Sequence, residues 1–475
     1  MVRQKKNNAI LVNGNTKVSA ITTVANFGEY SSVSDASASE LRNTILEAED
    51  TINVKGTTWY ISNDGNNYNA GNSPDAPWKD LNAVNIHSRK IKAGDAVLLR
   101  RGDIFRGNLV SAKTGISYGA YGEGDKPCIY GCKKNYADDI WCRTETKNIY
   151  SLVVDINSDI GMIIFNHGEK YGFKMLESIS ECTEDYDFYH DKTAGVLYVY
   201  CSQGRPNELF YDIELLYNIP GIHVADDASD VYIENISVKY VGGHGISVGR
   251  RVDGITIKNC EIGWIGGAIF RNETERYGNG IQFYGQTTNS TVENCWIYQC
   301  YDAGLTHQYS STTVKESAEN ILYSNNLVEY CTYSFEYFWG FEDENGNHID
   351  DETVNMKNIT VSNNIMRFAG YGIGQVRPKS WNVGHVVTWG SHYNPSENFV
   401  FKDNIFDTST LNIFAMYTLD TVNPILSGNT YVQVAGRNLG IYSLESLNTA
   451  DFVIVSLNET SLNTVDNTGK LIITQ

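Results

Sequence analysis

Two acidic residues stand out between Gly280 and Lys379, the stretch that holds most of the side chains able to do chemistry. Asp302 precedes the segment AGLTHQ, and Glu336 lies among aromatic residues in SFEYFWG. Hydrolysis of a glycosidic bond needs one carboxyl group that is protonated and one that is ionised. Because burial among aromatic rings raises the pKa of a carboxyl group, we assign the acid role to Glu336, and the role of nucleophile or base to Asp302.

His307 and Glu329 are further candidates for acid–base chemistry. His307 follows Asp302 closely and completes the predicted catalytic set, although the alternation of side chains along a strand could instead direct it into the core. Glu329, in LVEYC, is a weaker third carboxylate that a solvated turn would also explain. Asp302 itself could serve only the geometry of its turn.

The same stretch is rich in the side chains that bind sugars. Sugar rings stack on aromatic side chains while polar side chains hydrogen-bond their hydroxyl groups, although aromatic residues are also common strand formers. Arg377 and Lys379 could meet a uronate carboxylate, and Trp381 is a further ring. The expected substrate contacts are Gln282, Tyr284, Tyr301, Gln308, Tyr337, Trp339, Gln375, Arg377 and Trp389.

A repeat that begins near residue 230 predicts the elements that position these side chains. The repeat unit is a short β run that ends at a turn residue, and the steps between turns are 24, 35, 31, 38, 40 and 25 residues. Such steps fit the rungs of a right-handed parallel β-helix with inserted loops, and Asn tolerates the left-handed conformation of a tight turn. The turn residues are Asn235, Asn259, Asn294, Asn325, Asn363, Asp403 and Gly428.

The column after these turns predicts a hydrogen-bonded stack of side chains along the solenoid. We expect its two cysteines to pack there rather than to act in catalysis. The column consists of Cys260, Cys295, Asn326, Asn364, Asn404 and Asn429.

A second strand follows each turn and predicts two rows of side chains. Alternation directs one row inwards and the next row onto an outer face that would bind the substrate. Aligning the turns sets Asp302 opposite Tyr333, and the carboxyl groups of Asp302 and Glu336 then lie about 5–11 Å apart, which covers retaining and inverting glycosidases. The inward row is Ile246, Ile281, Leu305, Phe335, Ile373 and Ile413, and the outer row is Ser247, Gln282, Thr306, Glu336, Gly374 and Phe414.

Several segments carry a family resemblance. WYIS, SPDAPWKDL, GDAVLLRRGD and YGAYGEGDKPCIYG, within residues 57–131, resemble the opening rungs of right-handed parallel β-helix proteins of the pectate-lyase superfamily, especially their bacterial carbohydrate-active members. DFYHDKTAGVLYVY resembles a hairpin of the small β-sandwich inserted in β-helix glycosidases. VGGHGISVG, with His244, is similar to a polygalacturonase segment, but that family's other motifs do not precede it. The resemblance implies an all-β solenoid with an inserted sandwich and favours a hydrolase; it transfers no catalytic residue.

These patterns divide the chain into five predicted parts. Residues 1–55 form a polar leader with one helix near DASASELRNTILEAEDT, and residues 56–133 form an N-terminal cap with the first rungs. An inserted β-rich domain is expected at 134–215. The main parallel β-helix occupies 216–440, and a cap or tail follows at 441–475.

Composition narrows the partners. The 475 residues include 37 Lys and Arg against 56 Asp and Glu, a net charge of −19 that repels nucleic acid. No apolar run predicts a membrane span, and no signal peptide is visible, so we expect a cytoplasmic protein unless a signal has been removed. The odd count of nine cysteines favours reduced thiols. We expect no cofactor or metal: the acidic loop 340–353 does not have EF-hand spacing and should be a solvated lid, which leaves a structural calcium as an unsupported alternative.

The leading hypothesis is a glycoside hydrolase that cleaves plant-type oligosaccharides derived from xylan or pectin. One alternative is a polysaccharide lyase acting on uronates, with Tyr301, His307, Arg377 and Lys379 as candidates. The other is a β-helix that binds carbohydrate without turnover, since fold alone does not establish activity. The partner is an oligosaccharide or polysaccharide in each case, and the sequence leaves the sugar, the linkage and the oligomeric state open.

Overall fold

The structure, a computed structural model, describes residues 30–154, 158–272, 274–349, 351–377, 383–389, 395–416, 423–444, 454–456, 462 and 465–474. Three long sheets run through it, and each turn of the chain adds one strand to each sheet in the same order. Almost all neighbouring strands are parallel, and crossovers between parallel strands are right-handed. The chain is therefore a right-handed parallel β-helix, which confirms the predicted fold class.

Sheet 1 contains the strand that comes first in each rung. Its strands are Thr58–Ile61, Ala96–Arg100, Ser117–Tyr121, Tyr232–Glu234, Val252–Asp253, Thr256–Lys258, Thr287–Glu293, Ala318–Ser324, Met356–Ser362, Ser396–Lys402 and Ile425–Ser427.

Sheet 2 follows sheet 1 across the asparagine turns. Its strands are Ile104–Arg106, Cys128–Tyr130, Ile160–Phe165, Lys170–Tyr171, Ile213–Tyr217, Ser237–Val241, Glu261–Ile265, Trp296–Cys300, Leu327–Glu329, Ile365–Ala369, Ile405–Ser409, Thr430–Val434 and Lys470–Thr474.

Sheet 3 carries the candidate site. Its strands are Leu109–Ala112, Ile222–Val224, Ile246–Val248, Ile281–Tyr284, Ala303–Ser311, Tyr333–Phe341, Gly384–Thr388, Phe414–Met416, Gly440–Leu444 and Ile454–Ser456.

The turns between sheets 1 and 2 have the predicted backbone. Asn259 has φ 52°, and the turn residues of the neighbouring rungs are likewise left-handed. The next column forms the predicted stack: Asn326 Nδ2 donates to Asn364 Oδ1 at 3.0 Å, and Asn364 and Asn404 donate to Asn404 and Asn429 at 2.9 and 3.0 Å. All of these side chains are buried, so the stack satisfies amide groups that would otherwise be costly to bury.

The predicted inward row is correct in its first four positions. Ile246, Ile281, Leu305 and Phe335 align from rung to rung and lie in one apolar core. The next rung departs from the prediction because the strand there is Gly384–Thr388.

Three predicted positions in the following rungs were wrong, whereas Ile413 is buried in the apolar core as predicted. Ile373 and Gly374 lie in a short 3-10 helix, Gly372–Val376, so they do not form a rung strand. Phe414 aligns with Val386 and packs in the core, which places Ala415 on the outer face instead.

The remaining elements lie outside the three sheets. Within the predicted insert, a separate five-stranded sheet contains Cys142–Arg143, Ile149–Val153, Phe173–Met175, Asp187–Asp191 and Val196–Tyr200. The helices are Asp35–Leu46, which the sequence predicted, Leu81–Ile86 and Pro206–Leu209, with 3-10 turns at Tyr136–Asp138, Asn166–Gly168 and Ile179–Glu181. Among the described residues no helix is long and apolar enough to cross a membrane.

A two-stranded hairpin, here called the projecting hairpin, leaves the solenoid between sheets 2 and 3. It consists of Ala268–Arg271 paired with Glu275–Tyr277. It belongs to the rung that precedes Asp302, so it lies beside the predicted site.

Candidate active site

The register of sheet 3 brings three polar side chains into one outer row. Gln282, Thr306 and Glu336 align on neighbouring strands and point away from the core. Ala303 aligns with Tyr333, so Asp302 stands opposite Thr332, one position before the Tyr333 that the sequence alignment predicted.

Glu336 lies at the centre of a hydrogen-bonded network and is 3% exposed. Trp389 Nε1 donates to Glu336 Oε1 at 2.5 Å, while Thr306 Oγ1, at 3.3 Å, and Gln308 Nε2 donate to Oε2. Gln282 Nε2 in turn donates to Gln308 Oε1 at 3.0 Å, which fixes the orientation of that amide. The network thus holds both carboxyl oxygens of Glu336 in place.

Burial raises the pKa of Glu336 to about 7. The negative charge of Asp302 adds to this effect, and it is opposed by the hydrogen bond from Trp389, the charge of Arg377 and the hydrogen bond from Gln308. At neutral pH a substantial fraction of Glu336 is therefore protonated, as a general acid requires.

Asp302 is paired with a cation. Arg377 Nη1 lies 2.6 Å from Asp302 Oδ1, and both side chains are largely buried. Burial lowers the pKa of Arg377, but the charge of Asp302 more than compensates and leaves it above the usual value for arginine. Asp302 and Arg377 therefore form a largely buried ion pair within the site.

Aromatic rings surround this ion pair. The guanidinium carbons of Arg276 and Arg377 lie 4.3 and 5.7 Å from the ring centroid of Tyr301, and Arg377 is also 5.2 Å from that of Tyr333. The rings of Tyr333 and Trp389 meet at 83° with their centroids 6.2 Å apart. Arg377 precedes the strand Gly384–Thr388 and contacts Asp302, whereas Trp389 directly follows that strand and donates to Glu336.

Arg276 was missed by sequence reasoning. It lies in the projecting hairpin, outside the repeat pattern, and no motif marks it. Gln375, which was predicted, lies in the short 3-10 helix two residues before Arg377 and is partly buried.

Three predicted site residues are instead part of the apolar core. His307, Tyr337 and Trp339 are fully buried and point inwards, since each is an odd number of residues from Thr306 or Glu336. The prediction that Tyr337 and Trp339 contact the substrate was therefore wrong, and His307 takes the core position that strand alternation had left open as the alternative to catalysis.

The surroundings of His307 show why it belongs to the core. His307 meets the rings of Phe283 and Trp339 edge-on, with centroids 5.5 and 5.2 Å away, and Nε2 lies 3.2 Å from Gly285 O. Burial lowers the pKa of His307 to about 4, which keeps it neutral.

Glu329 lies on sheet 2, away from the carboxyl pair. Arg42 of the helix Asp35–Leu46 contacts it at 2.8 Å, Trp296 Nε1 donates to it at 2.9 Å, and Arg367 lies at 3.3 Å. Glu329 is 1% exposed and holds the helix against the solenoid, so neither a solvated turn nor a catalytic role describes it.

The remaining residues that the sequence suggested for the site do not contact Glu336 in the described structure. Tyr284 points outwards and is 37% exposed. His244 accepts a hydrogen bond from Asn279 N at 3.1 Å and packs edge-on against Tyr277, away from Glu336. Lys379 and Trp381 lie outside the described residues.

The acidic loop 340–353 is organised by its own hydrogen bonds. Asp343 Oδ1 accepts from the backbone N–H groups of Asn345 and Asn347, each at 2.8 Å. In the part of the chain that the structure describes, no group of three or more His, Cys, Asp or Glu side chains could hold a metal ion.

Comparison with known proteins agrees with the fold. A family model described as a right handed beta helix region matches residues 206–383. The chain is 38% identical over 89 residues to the lacto-N-biosidase of Bifidobacterium longum subsp. longum, a match that spans 17% of this chain and 6% of that protein.

The solved structures that are similar to this chain include the following three. The lacto-N-biosidase of Eubacterium ramulus has 16% identity and a TM-score of 0.43, with 88% of this chain and 67% of that chain covered. A complex of XylC with xylose has 11% identity and a TM-score of 0.44, with 88% and 83% covered. The pectate lyase Pel9A has 14% identity and a TM-score of 0.40, with 89% and 88% covered.

Proposed function

We propose that this β-helix protein is a glycoside hydrolase in which Glu336 is the general acid and Asp302 the nucleophile or base. One observation carries the proposal: the two carboxyl groups of the site stand in different surroundings. Burial raises the pKa of Glu336 to about 7, while Arg377 Nη1 lies 2.6 Å from Asp302 Oδ1. Glycoside hydrolysis uses such a pair.

The network around Glu336 suits the transfer of a proton to a leaving group. When Glu336 gives its proton to the glycosidic oxygen, the bond from that oxygen to the anomeric carbon breaks and the carboxylate that remains is negatively charged. Trp389 Nε1 and the donors from Thr306 and Gln308 already point at its two oxygens. They therefore stabilise the charge as it develops, without reorganisation.

Asp302 would complete the reaction at the anomeric carbon. Its carboxylate either attacks that carbon to form a covalent intermediate, which water then hydrolyses, or removes a proton from the attacking water. Arg377 orients the Asp302 carboxylate for both routes, and the contact of Arg377 with the Tyr301 ring holds the guanidinium in position.

Two lines support an oligosaccharide substrate. The segments of residues 57–131 resemble carbohydrate-active β-helix proteins, which favours units derived from xylan or pectin. The 89-residue match to a lacto-N-biosidase supports a hydrolase and adds glycosides of lacto-N-biose to the compounds worth testing. The match covers little of that protein, so its activity serves only to choose a probe.

The lyase alternative draws less support from the site. It needs a cation that is available to a uronate carboxylate, and Arg377 is engaged by Asp302. It also needs a base, and His307 lies in the core.

A substrate screen with product analysis tests the proposal. The purified protein is incubated in ¹⁸O-labelled water with aryl glycosides and with oligosaccharides from xylan, pectin and lacto-N-biose series. We expect hydrolysis products that carry ¹⁸O at a newly formed hydroxyl group. Products that absorb in the ultraviolet as unsaturated uronates would favour the lyase, and binding without turnover would favour a carbohydrate-binding protein.

Glu336→Gln and Glu342→Gln form a matched pair of variants for this screen. Glu342 directly follows Tyr333–Phe341, the strand that carries Glu336. It accepts a hydrogen bond from Ser310 and lies outside the network of the carboxyl pair. Turnover of the oligosaccharides should be lost in Glu336→Gln and retained in Glu342→Gln; equal loss in both would contradict the assignment.

A further inference from the structure

Arg276 of the projecting hairpin is a buried cation that contacts two backbone carbonyl groups and one aromatic ring. It is 8% exposed. Its Nε donates to Gly267 O at 2.6 Å, its Nη2 donates to Gly161 O at 2.9 Å, and its guanidinium carbon lies 4.3 Å from the ring centroid of Tyr301. Neither carbonyl carries a net charge, so the π face of the ring contributes to compensating the buried cation. Arg276 therefore connects the hairpin with the residue directly before Asp302.

The guanidinium group of Arg276 is fixed by the groups around it. Gly161 belongs to the predicted insert at 134–215, and Arg276 pairs with Ile269 across the hairpin. Ile269 N in turn donates to Asp159 Oδ2 of the same insert at 2.7 Å. Because the hairpin and the guanidinium are both tied to this insert, its packing determines where Arg276 stands against the Tyr301 ring.

The ring of Tyr301 also contacts a second arginine, which pairs with Asp302. The guanidinium carbon of Arg377 lies 5.7 Å from the ring centroid of Tyr301, and Arg377 Nη1 lies 2.6 Å from Asp302 Oδ1. Tyr301 is 1% exposed, so its ring is enclosed by packed neighbours. A displacement of this ring would therefore displace Arg377 relative to the carboxylate.

The residues that follow Arg276 hold the backbone of Asp302. Asp302 N donates to Gly278 O at 3.2 Å, and Ala303 N donates to Asn279 Oδ1 at 2.9 Å. The base of the hairpin thus contacts Asp302 along its backbone, while Arg276 reaches its ion pair through the neighbouring ring. Both sets of contacts depend on the position of the hairpin.

We propose that Arg276 is a positioning residue of the hydrolase, which acts through the ring of Tyr301 to hold Arg377 where it orients the Asp302 carboxylate. The inference rests on the proposed function and extends the active site to the insert, whose Gly161 fixes Arg276. Loss of Arg276 should slow the chemical step, because the carboxylate must be aligned with the anomeric carbon, and should leave the binding of the sugar nearly unchanged.

The variants Arg276→Gln and Arg276→Lys test this role, with Arg271→Gln as the matched control. Arg271 lies in the same hairpin and 5.4 Å from the ring centroid of Phe270, but it is exposed and pairs with Glu275. Arg276→Gln should lower kcat about 2- to 30-fold, as expected for a lost cation–π contact, while KM changes less than about twofold. Arg276→Lys keeps the charge near the ring and should lose less. Arg271→Gln should match the wild type.

Substrates with different leaving groups show which carboxyl group the change affects. Every turnover needs Asp302, so Arg276→Gln should slow an activated aryl glycoside and an unactivated oligosaccharide alike. A loss confined to the unactivated substrate would place the effect on the general acid Glu336 and overturn the proposal.

A double-mutant cycle with Arg377→Met separates positioning from general structural support. If Arg276 acts through Arg377, adding Arg276→Gln to Arg377→Met should lower kcat by less than about a further twofold. Loss of folded protein would instead multiply the two effects, and such multiplication overturns the proposal. Tyr301→Leu removes the ring without changing the groups that bind Arg276, so it should reproduce the loss of Arg276→Gln, and it replaces that variant in the cycle if Arg276→Gln does not fold.

Crystal structures of the wild type and of Arg276→Gln separate this inference from the proposed function. In the variant we expect Arg377 Nη1 to lie beyond about 4 Å from Asp302 Oδ1, outside the range of a salt bridge. If the wild type hydrolyses none of the glycosides but this contact is lost in the variant, the positioning of Asp302 by Arg276 stands while the hydrolase proposal fails. An unchanged contact between Asp302 and Arg377, or a kcat equal to that of the wild type, overturns the positioning proposal.

Discussion

Replacing Glu336 by Gln tests the general acid directly. The amide keeps the shape of the side chain, and the Thr306 hydroxyl can turn to accept from its new N–H group. With a pKa of about 7, half of Glu336 is protonated at pH 7. At its ordinary pKa of 4.5 the protonated fraction would be roughly 0.3%, so the buried site increases the amount of acid at neutral pH by roughly 150-fold.

Leaving-group dependence distinguishes loss of the acid from general damage. On an unactivated glycoside the variant should lose about 10²–10⁴ in kcat/KM, because the leaving oxygen then departs without a proton. An aryl glycoside with a strongly electron-withdrawing leaving group needs little protonation and should lose far less. Asp302→Asn should depress both substrates alike, since every turnover needs the nucleophile or base.

The assay is steady-state kinetics on both substrate types across pH, with thermal unfolding of each variant as the control for folding. The wild-type rate on the unactivated glycoside should fall as the pH rises through about 7, where Glu336 loses its proton. The assignment of the acid is refuted if Glu336→Gln stays folded, keeps the wild-type rate on the unactivated glycoside and shows the same fall in rate above about pH 7.

Four further changes probe the site and its support. Between pH 4.5 and about 7 folded Glu336 retains a proton that the unfolded chain has lost, so the free energy of unfolding should fall with rising pH, and Glu336→Gln should reduce this fall by a few kcal/mol in denaturant titrations at pH 5 and 8. Arg377→Met removes a charge that lowers the pKa of Glu336, so the basic limb of the pH–rate profile should move to higher pH; an unmoved limb would argue against electrostatic coupling. His307→Leu should lower the melting temperature while kcat/KM changes less than about threefold; a loss near 10²-fold without destabilisation would restore a catalytic role. Asn364→Ala leaves buried partners in the asparagine stack unsatisfied and should cost about 1–3 kcal/mol in chemical denaturation, without changing KM.

The alternation of side chains along the strand Tyr333–Phe341 determines the direction of its aromatic rings. The inward position of Phe335 was predicted correctly, and the same alternation places Tyr337 and Trp339 inwards with it. Their aromatic character favoured a binding platform, but the interior of the solenoid is wide enough to need large rings. The period of two decided their direction, and the residue type did not.

The contacts of the inserted segments do not follow from strand alternation. The partner of Asp302 is Arg377, 75 positions further along the chain, and the base of the projecting hairpin is tied to Asp159 and Asn218. No periodicity connects these residues, because each insertion leaves the rung pattern. Which groups approach each other is then determined by packing between segments that are distant in the sequence.

The sequence by itself determined the solenoid, its asparagine turns and the row that carries Glu336. These features are local: Asn259 and its equivalents adopt the left-handed turn, and side chains alternate across each strand. Only the tertiary structure decided that Arg377 pairs with Asp302 and that Trp389 and Gln308 hold Glu336. The physical reason is that protonation state and exposure depend on burial and on neighbouring charges, which exist only once the distant segments have packed together.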